Sequence, residues 1–244
     1  MAELKYSVVT MVRGTEIMLG QTILGNLAKV SERDDSELII LSYNSSGDVA
    51  KMMDQHRGAM ESGKLVYVEE RKAPKLRLPH AKNVGARVAE GRYVVSLTAD
   101  SVIGDEFFQC LDYDVDRRQS KLMLFGPGRL ALERKLFDAV RGYDESFVGW
   151  GYEDQDLFDR ARAFDSKCNA SRRPLPTAHQ LDQQMTWRNG PDTDAAGKTA
   201  QDTFKANQQR SQASLKAGKF VVNQTGYGQA TVFVNFEEKG QVLQ

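Results

Sequence analysis

Apolar positions along this chain switch between two spacings. Residues 6–12, Tyr-Ser-Val-Val-Thr-Met-Val, form a compact run rich in β-branched side chains that stops at Arg13-Gly14, the pattern of a buried strand. Over residues 16–30 the apolar side chains Ile17, Ile23, Leu24, Leu27 and Val30 return at helical spacing instead. The exchange then repeats. Residues 37–43 predict a second strand closed by the turn-forming Asn44-Ser45-Ser46-Gly47-Asp48, and residues 49–60 a helix. Residues 64–69 predict a third strand before a loop from Pro74 to Pro79, the Ala-rich residues 80–90 a helix ended by Gly91, and residues 93–97 a fourth strand. This alternation predicts an α/β fold with a mostly parallel, doubly wound central sheet flanked by helices. Ligands of such sheets bind beyond the C-terminal strand ends, here Met11 to Gly14, Ser42 to Ser46 and Thr98 to Ser101.

The second half is less regular. Residues 122–125 and 129–132 read as strands around Gly126-Pro127-Gly128, and residues 133–140 as a short helix ahead of Gly142-Tyr143-Asp144-Glu145. Next comes Gly149-Trp150-Gly151-Tyr152-Glu153-Asp154-Gln155-Asp156, leading into the helical spacing of Leu157, Phe158, Ala161 and Phe164. The order predicts a glycine-rich loop that becomes a helix with its carboxylates in the first turn, where the helix dipole favours negative charge. Residues 192–217 are polar and rich in Ala and Gln, an exposed helix or a mobile segment. Val221-Val222 and residues 231–236, joined through Gly226-Tyr227-Gly228, read as a terminal hairpin. The expected division is a core domain over residues 1–190 and a small helical and hairpin appendage over 191–244, docked on it.

Composition narrows the class. With 33 basic and 33 acidic residues the formal net charge is zero, so no global attraction to nucleic acid or an anionic membrane follows. Cys110 and Cys168 are too few for a disulfide framework and lack the spacing of a zinc site. No apolar run is long enough to span a bilayer and no secretory leader is evident, so the expected location is cytoplasmic, with membrane association only peripheral. No GxGxxG follows the first strand, which argues against a nucleotide-dependent dehydrogenase.

The chemistry centres on the acidic loop. An acidic first turn alone requires no function, but capping does not call for Trp150 and Tyr152 beside the acids. Aromatic faces next to carboxylates suit a sugar, whose C–H face stacks while its hydroxyls donate to the acids. The fourth strand runs into Thr98-Ala99-Asp100-Ser101, an acid at a strand end, and His179 lies further on. A carboxylate, an imidazole and two diphosphate oxygens would supply most of a six-coordinate shell, and mixed oxygen and nitrogen ligation suits Mn²⁺ better than Ca²⁺.

The strands at Ser7 and at residues 37–43, Ala81-Lys82-Asn83-Val84-Gly85, the run from Gly91 to Asp100, and Gly142-Tyr143-Asp144-Glu145 followed by Gly149 to Asp156 together resemble nucleotide-sugar glycosyltransferases of the Rossmann-like GT-A fold. The resemblance, to family 2 glycosyltransferases, spans roughly residues 5–190. The pairing "GYDESF" with "GWGYEDQDL" is similar to the acceptor motif of β1,4-galactosyltransferases, chondroitin-polymerase-type domains and polypeptide N-acetylgalactosaminyltransferases. It implies a metal-dependent enzyme moving a hexose from a nucleoside-diphosphate donor, a UDP-sugar by preference, to a hydroxyl of a glycan or glycoconjugate. By the same resemblance Asp100 and His179 hold Mn²⁺ or Mg²⁺ on the diphosphate, and Asp154 is the general base. Trp150, Gly151, Tyr152 and Glu153 line the acceptor and donor-sugar pocket, and Arg13, Ser42, Asn44, Lys82, Asn83 and Ala99 contact the nucleotide. Retaining relatives resemble "WGGEN", with an amide where this chain has Asp154, so the acid implies inversion. Two positions depart from the pattern: Thr98 replaces the first acid of DxD, and Ser42-Tyr43-Asn44 replaces the usual aspartate after the second strand.

Two other readings stay open on sequence alone. One is a nucleotide- or carbohydrate-binding module that has lost catalysis, favoured by Thr98. The other is a transferase acting on hydroxylated DNA bases, with Arg71, Lys72, Lys75, Arg77, Arg172 and Arg173 tracking phosphates, although dispersed solvated charge explains those residues more simply. The glycines around Trp150 would also let that loop close over the donor before the acceptor binds.

Overall fold

The computed structural model describes residues 3–126, 128–174, 177–180 and 199–244, with 177–180 described through their backbone. Four strands form the centre, β1 (Tyr6–Val12), β2 (Ser36–Tyr43), β3 (Leu65–Glu70) and β4 (Tyr93–Leu97), in the spatial order β3-β2-β1-β4 and all parallel. Every residue of β1 and β2 is buried, because helices cover both faces; that is why these strands read as unbroken apolar runs. The exceptions are satisfied in place. Ser7 Oγ donates to Glu37 Oε1 at 2.5 Å, while the backbone N–H groups of Glu90 and Gly91 donate to Glu37 and Ser7, fixing the turn that feeds β4.

The connecting helices are α1 (Glu16–Ser31), α2 (Gly47–Asp54), α3 (Arg57–Glu61) and α4 (Leu78–Val88). After β4 come β5 (Ser101–Ile103), α5 (Phe107–Asp112), a π-helical turn (Tyr113–Arg117), β6 (Ser120–Gly126), β7 (Arg129–Glu133), α6 (Arg134–Ala139), α7 (Glu153–Phe164), β8 (Asn169–Arg172) and β9 (Thr177–Gln180). The chain ends with α8 (Ala200–Lys216), β10 (Ala230–Val234) and β11 (Gln241–Leu243). The full sheet runs β11-β10-β3-β2-β1-β4-β7-β6-β8, and only β7 and β10 oppose the common strand direction. One core packs Leu19, Ile23 and Leu27 of α1 with Phe107 and Leu111 of α5 on one face. The other packs Ala81 and Val84 of α4, Phe137 of α6 and Leu157 and Phe158 of α7. No helix among the described residues is long and apolar enough to cross a membrane.

Three expectations need correction. The helix expected over 49–60 is two helices, broken at Gln55-His56. Helix α4 starts at Leu78 and takes Pro79 into its first turn, where the missing N–H costs nothing. The terminal hairpin does not form: β10 pairs antiparallel with β3 and with β11, while Val222 N–H donates to Val140 O. The open edge of β3 is the better partner, because Asn235 extends the pairing by accepting from Tyr67 N–H through its side chain and donating to Tyr67 O through its backbone.

Candidate active site

Helix α1 fixes the turn that follows β4. Thr22 Oγ1 donates to Ala99 O at 2.8 Å, and Asn26 donates to Ser101 O at 2.9 Å while accepting from Ile103 N–H at 2.7 Å. Thr98 and Ser101 hydroxyls meet at 2.8 Å. With the backbone of the turn held this way, Asp100 is 5% exposed, and its buried Oδ1 has no hydrogen-bond partner among the described residues. An orphaned carboxylate oxygen at a strand end fits a cation ligand, since leaving such an atom unpaired is costly. Strand β9 lies antiparallel to β5, with Gln180 opposite Ser101 and Ala178 opposite Val102, so the backbone of His179 sits at the irregularity beside Asp100. The side chain of His179 lies outside the described residues. Among the described residues no three His, Cys, Asp or Glu side chains gather around a metal position.

Asp154 lies in the first turn of α7, 6% exposed, and its carboxylate is held from three sides. Lys82 Nζ donates to Oδ1 at 2.7 Å, Tyr143 Oη donates to the same oxygen at 3.1 Å, and Gly128 N–H donates to Oδ2 at 2.9 Å. Lys82 also donates to Glu153 Oε1 at 2.9 Å. Burial alone would pull the Lys82 ammonium down, but the charges of Asp154 and Glu153 outweigh it and hold Lys82 above its ordinary value. Burial, reinforced by Asp154, pushes the Tyr143 phenol up, so it stays a donor. Gly128 links Asp154 to the end of β4: its φ is +74° and a Cβ there would lie 2.3 Å from Thr98 Cγ2, so only glycine lets the β6–β7 connection touch both Thr98 and Asp154.

Nearby, Asp156 pairs with the fully buried Arg160 at 2.7 Å, and the guanidinium also donates to Val140 O, Gly142 O and Phe220 O. Burial raises the Asp156 pKa and the Arg160 charge partly offsets it. The residues expected on the nucleotide divide into two groups. Arg13 and Asn44 both donate to Ala73 O, and Arg13 also to Pro74 O, so the ends of β1 and β2 and the loop after β3 converge. Ser42 is buried at the end of β2, and Ala99 lies in the pinned turn. Lys82 and Asn83 have a different set of partners. Lys82 serves the acids, and the Asn83 amide is consumed by Tyr143 N–H, Tyr143 O and Glu145 Oε1, which makes it the joint of the "GYDESF" loop.

Trp150 remains 40% exposed, with its ring 6.3 Å from that of Phe204, and Tyr152 meets Phe204 edge-on at 5.4 Å. Tyr152 holds φ +71° as the N-cap of α7, a conformation unusual for an aromatic residue and one that aims the three acids inward. Sequence reasoning missed Gly128, Tyr143, Thr22, Asn26 and Phe204. Only the first two carried a signal, a Gly-Pro-Gly between strands and a tyrosine inside the first motif.

A sheet in the order β3-β2-β1-β4 with a reversed β7, flanked by helices on both faces, is the architecture of the GT-A fold. Residues 109–182, from α5 through β9 and including the acidic motif, match the family described as the N-terminal domain of galactosyltransferase. Similar solved structures include the mannosyltransferase PcManGT from Pyrobaculum calidifontis in complex with GDP-Man and Mn²⁺. It is 15% identical with a TM-score of 0.59, over 75% of this chain and 59% of that one. GalNAc-T7 with UDP, GalNAc and Mn²⁺ is 14% identical with a TM-score of 0.62, over 85% of this chain and 48% of its own. TarS from S. aureus in complex with UDP-GlcNAc is 15% identical with a TM-score of 0.52, over 65% and 53%. The chain thus spans about half to three fifths of the length of these proteins. No curated protein sequence matches it.

Proposed function

We propose that the chain is a metal-dependent glycosyltransferase that moves a hexose from a UDP-sugar to an acceptor hydroxyl with inversion. The observation that supports this reading is Gly128, which donates to the held carboxylate of Asp154 and packs against Thr98, two residues before Asp100, whose Oδ1 has no partner among the described residues. Arg13, Ser42, Asn44 and Ala99 would bind the nucleotide, and Asp100 and His179 would hold Mn²⁺, or Mg²⁺ in its place. When bound, that ion supplies positive charge to the leaving diphosphate.

The bond between sugar C1 and the diphosphate oxygen breaks as the acceptor oxygen bonds to C1, and the acceptor proton passes to Asp154. Among the described partners Oδ1 already accepts twice and Oδ2 once, so Oδ2 keeps a lone pair for that proton. Lys82 and Tyr143 keep the carboxylate oriented, Glu153 shares the Lys82 charge and is available to an acceptor hydroxyl, and the Trp150 face offers a stacking surface for a sugar ring.

The test is UDP release from a panel of UDP-hexoses with and without Mn²⁺. Metal-dependent release is expected from the wild type and its loss from Asp100→Asn. Nucleotide binding without any release would instead fit a module that has lost catalysis.

A further inference from the structure

We propose that α8 is a clamp that pre-forms the Trp150 loop, with Thr203 and Asn207 as its positioning residues. The inference rests on the reading that this loop borders the sugar pocket.

Five backbone groups of the loop find their partners on α8 side chains. Trp150 N–H donates to Thr203 Oγ1 at 3.2 Å, and the one proton of that hydroxyl is shared between Trp150 O and Ala200 O, each at 3.0 Å. The Asn207 amide donates to Val148 O at 3.2 Å and to Gly151 O at 3.0 Å, and its oxygen faces Val148 N–H at 3.4 Å. Both polar side chains are buried, at 4% and 5% exposure, so these bonds are shielded from water. The two glycines are explained by the same contact. A Cβ on Gly149 would lie 2.5 Å from Thr203 Cγ2 and one on Gly151 2.7 Å from Phe204 Cδ2, at φ +69° and +99°. They give room to the helix, a reason for glycine at both positions that is separate from loop closure. Arg210 adds a bond to Ser146 O, reaching the end of the first motif.

A loop ordered before the donor arrives spares the donor the cost of ordering it. A site that is only partly pre-formed loses affinity in proportion to the fraction out of place. The clamp therefore predicts a signature in KM and leaves the chemical step alone.

The test follows the amide exchange of Val148 and Trp150, whose N–H groups are covered by α8 side chains, with donor kinetics read in parallel. Thr203→Val keeps the shape against Gly149 and removes the hydroxyl. It should leave the loop open in about two thirds to nine tenths of free molecules, so that Trp150 keeps almost no protection, with protection restored by saturating UDP-hexose and Mn²⁺. Donor KM should rise by about three- to tenfold with kcat within about twofold. Thr203→Ser should recover both readings, Asn207→Ala should expose Val148 in the same way, and the exposed Gln209→Ala should change neither. Unchanged exchange in Thr203→Val overturns the clamp, and so does the loss of nearly all protection with an unchanged KM. Exchange needs no turnover, so a wild type that fails to transfer sugar would overturn the enzymatic reading while the clamp is still decided by the amides.

Discussion

At the scale of single residues, the site is governed by one buried cation shared between two carboxylates. Lys82, Glu153 and Asp154 are all under 10% exposed, so none is screened by solvent. Removing the cation leaves uncompensated buried charge. Lys82→Met should therefore destabilise the fold by about 3–5 kcal/mol in urea denaturation. The sign of its pH dependence follows from the raised Lys82 pKa. A group held above its unfolded value contributes fully below that value, near pH 10.4 for lysine, and loses its contribution as pH rises through the folded value. The wild-type minus Lys82→Met stability difference should accordingly be level from pH 7 to about 10 and shrink above it.

Gly128 gives a second residue-scale expectation. Gly128→Ala forces a side chain into Thr98 at positive φ and should cost at least about 1–3 kcal/mol. Adding Thr98→Ser, which removes the obstructing methyl, should recover part of that loss in a thermal melt. The two acids that carry the proposed chemistry were legible because each sits at a recognisable boundary, a strand end and a helix start. Lys82 and Asn83 were legible as special but not in their partners, since Glu153, Asp154 and Tyr143 lie some sixty or more residues further along the chain.

At the scale of elements, the first half of the fold could be read from pattern alone. Residues 6–12 and 93–97 are strands with the expected bounds, because strands buried on both faces write continuous apolar runs. Strands β5, β8 and β9 gave no such sign: three or four residues are too few to show a period, and their pairing is set by neighbours distant in sequence. Helix α8 was visible as a polar, Ala-rich stretch with little apolar patterning. Its buried face consists of Thr203, Asn207 and Ser211, so hydrophobic periodicity could not reveal what it packs against.

For the whole molecule, the C-terminal strands lengthen the central sheet beyond β3. Ending the chain after Gln229 removes β10 and β11 and bares the edge of β3. Losing buried Val232 alone costs about 1.5–3 kcal/mol, so the melting point should drop by at least about 3–12 °C, with a greater tendency to aggregate. In the opposite direction, UDP with Mn²⁺ at about a hundred times Kd should stabilise the intact chain by about 2.7 kcal/mol, a rise of about 5–11 °C.

The most direct measurement compares Asp154→Asn with the wild type for both sugar transfer and UDP affinity in Mn²⁺. A proton acceptor that leaves the nucleotide alone predicts turnover lower by about two to four decades with UDP affinity within about twofold. Turnover equal to that of the wild type would contradict the role given to Asp154 and with it the proposed reaction.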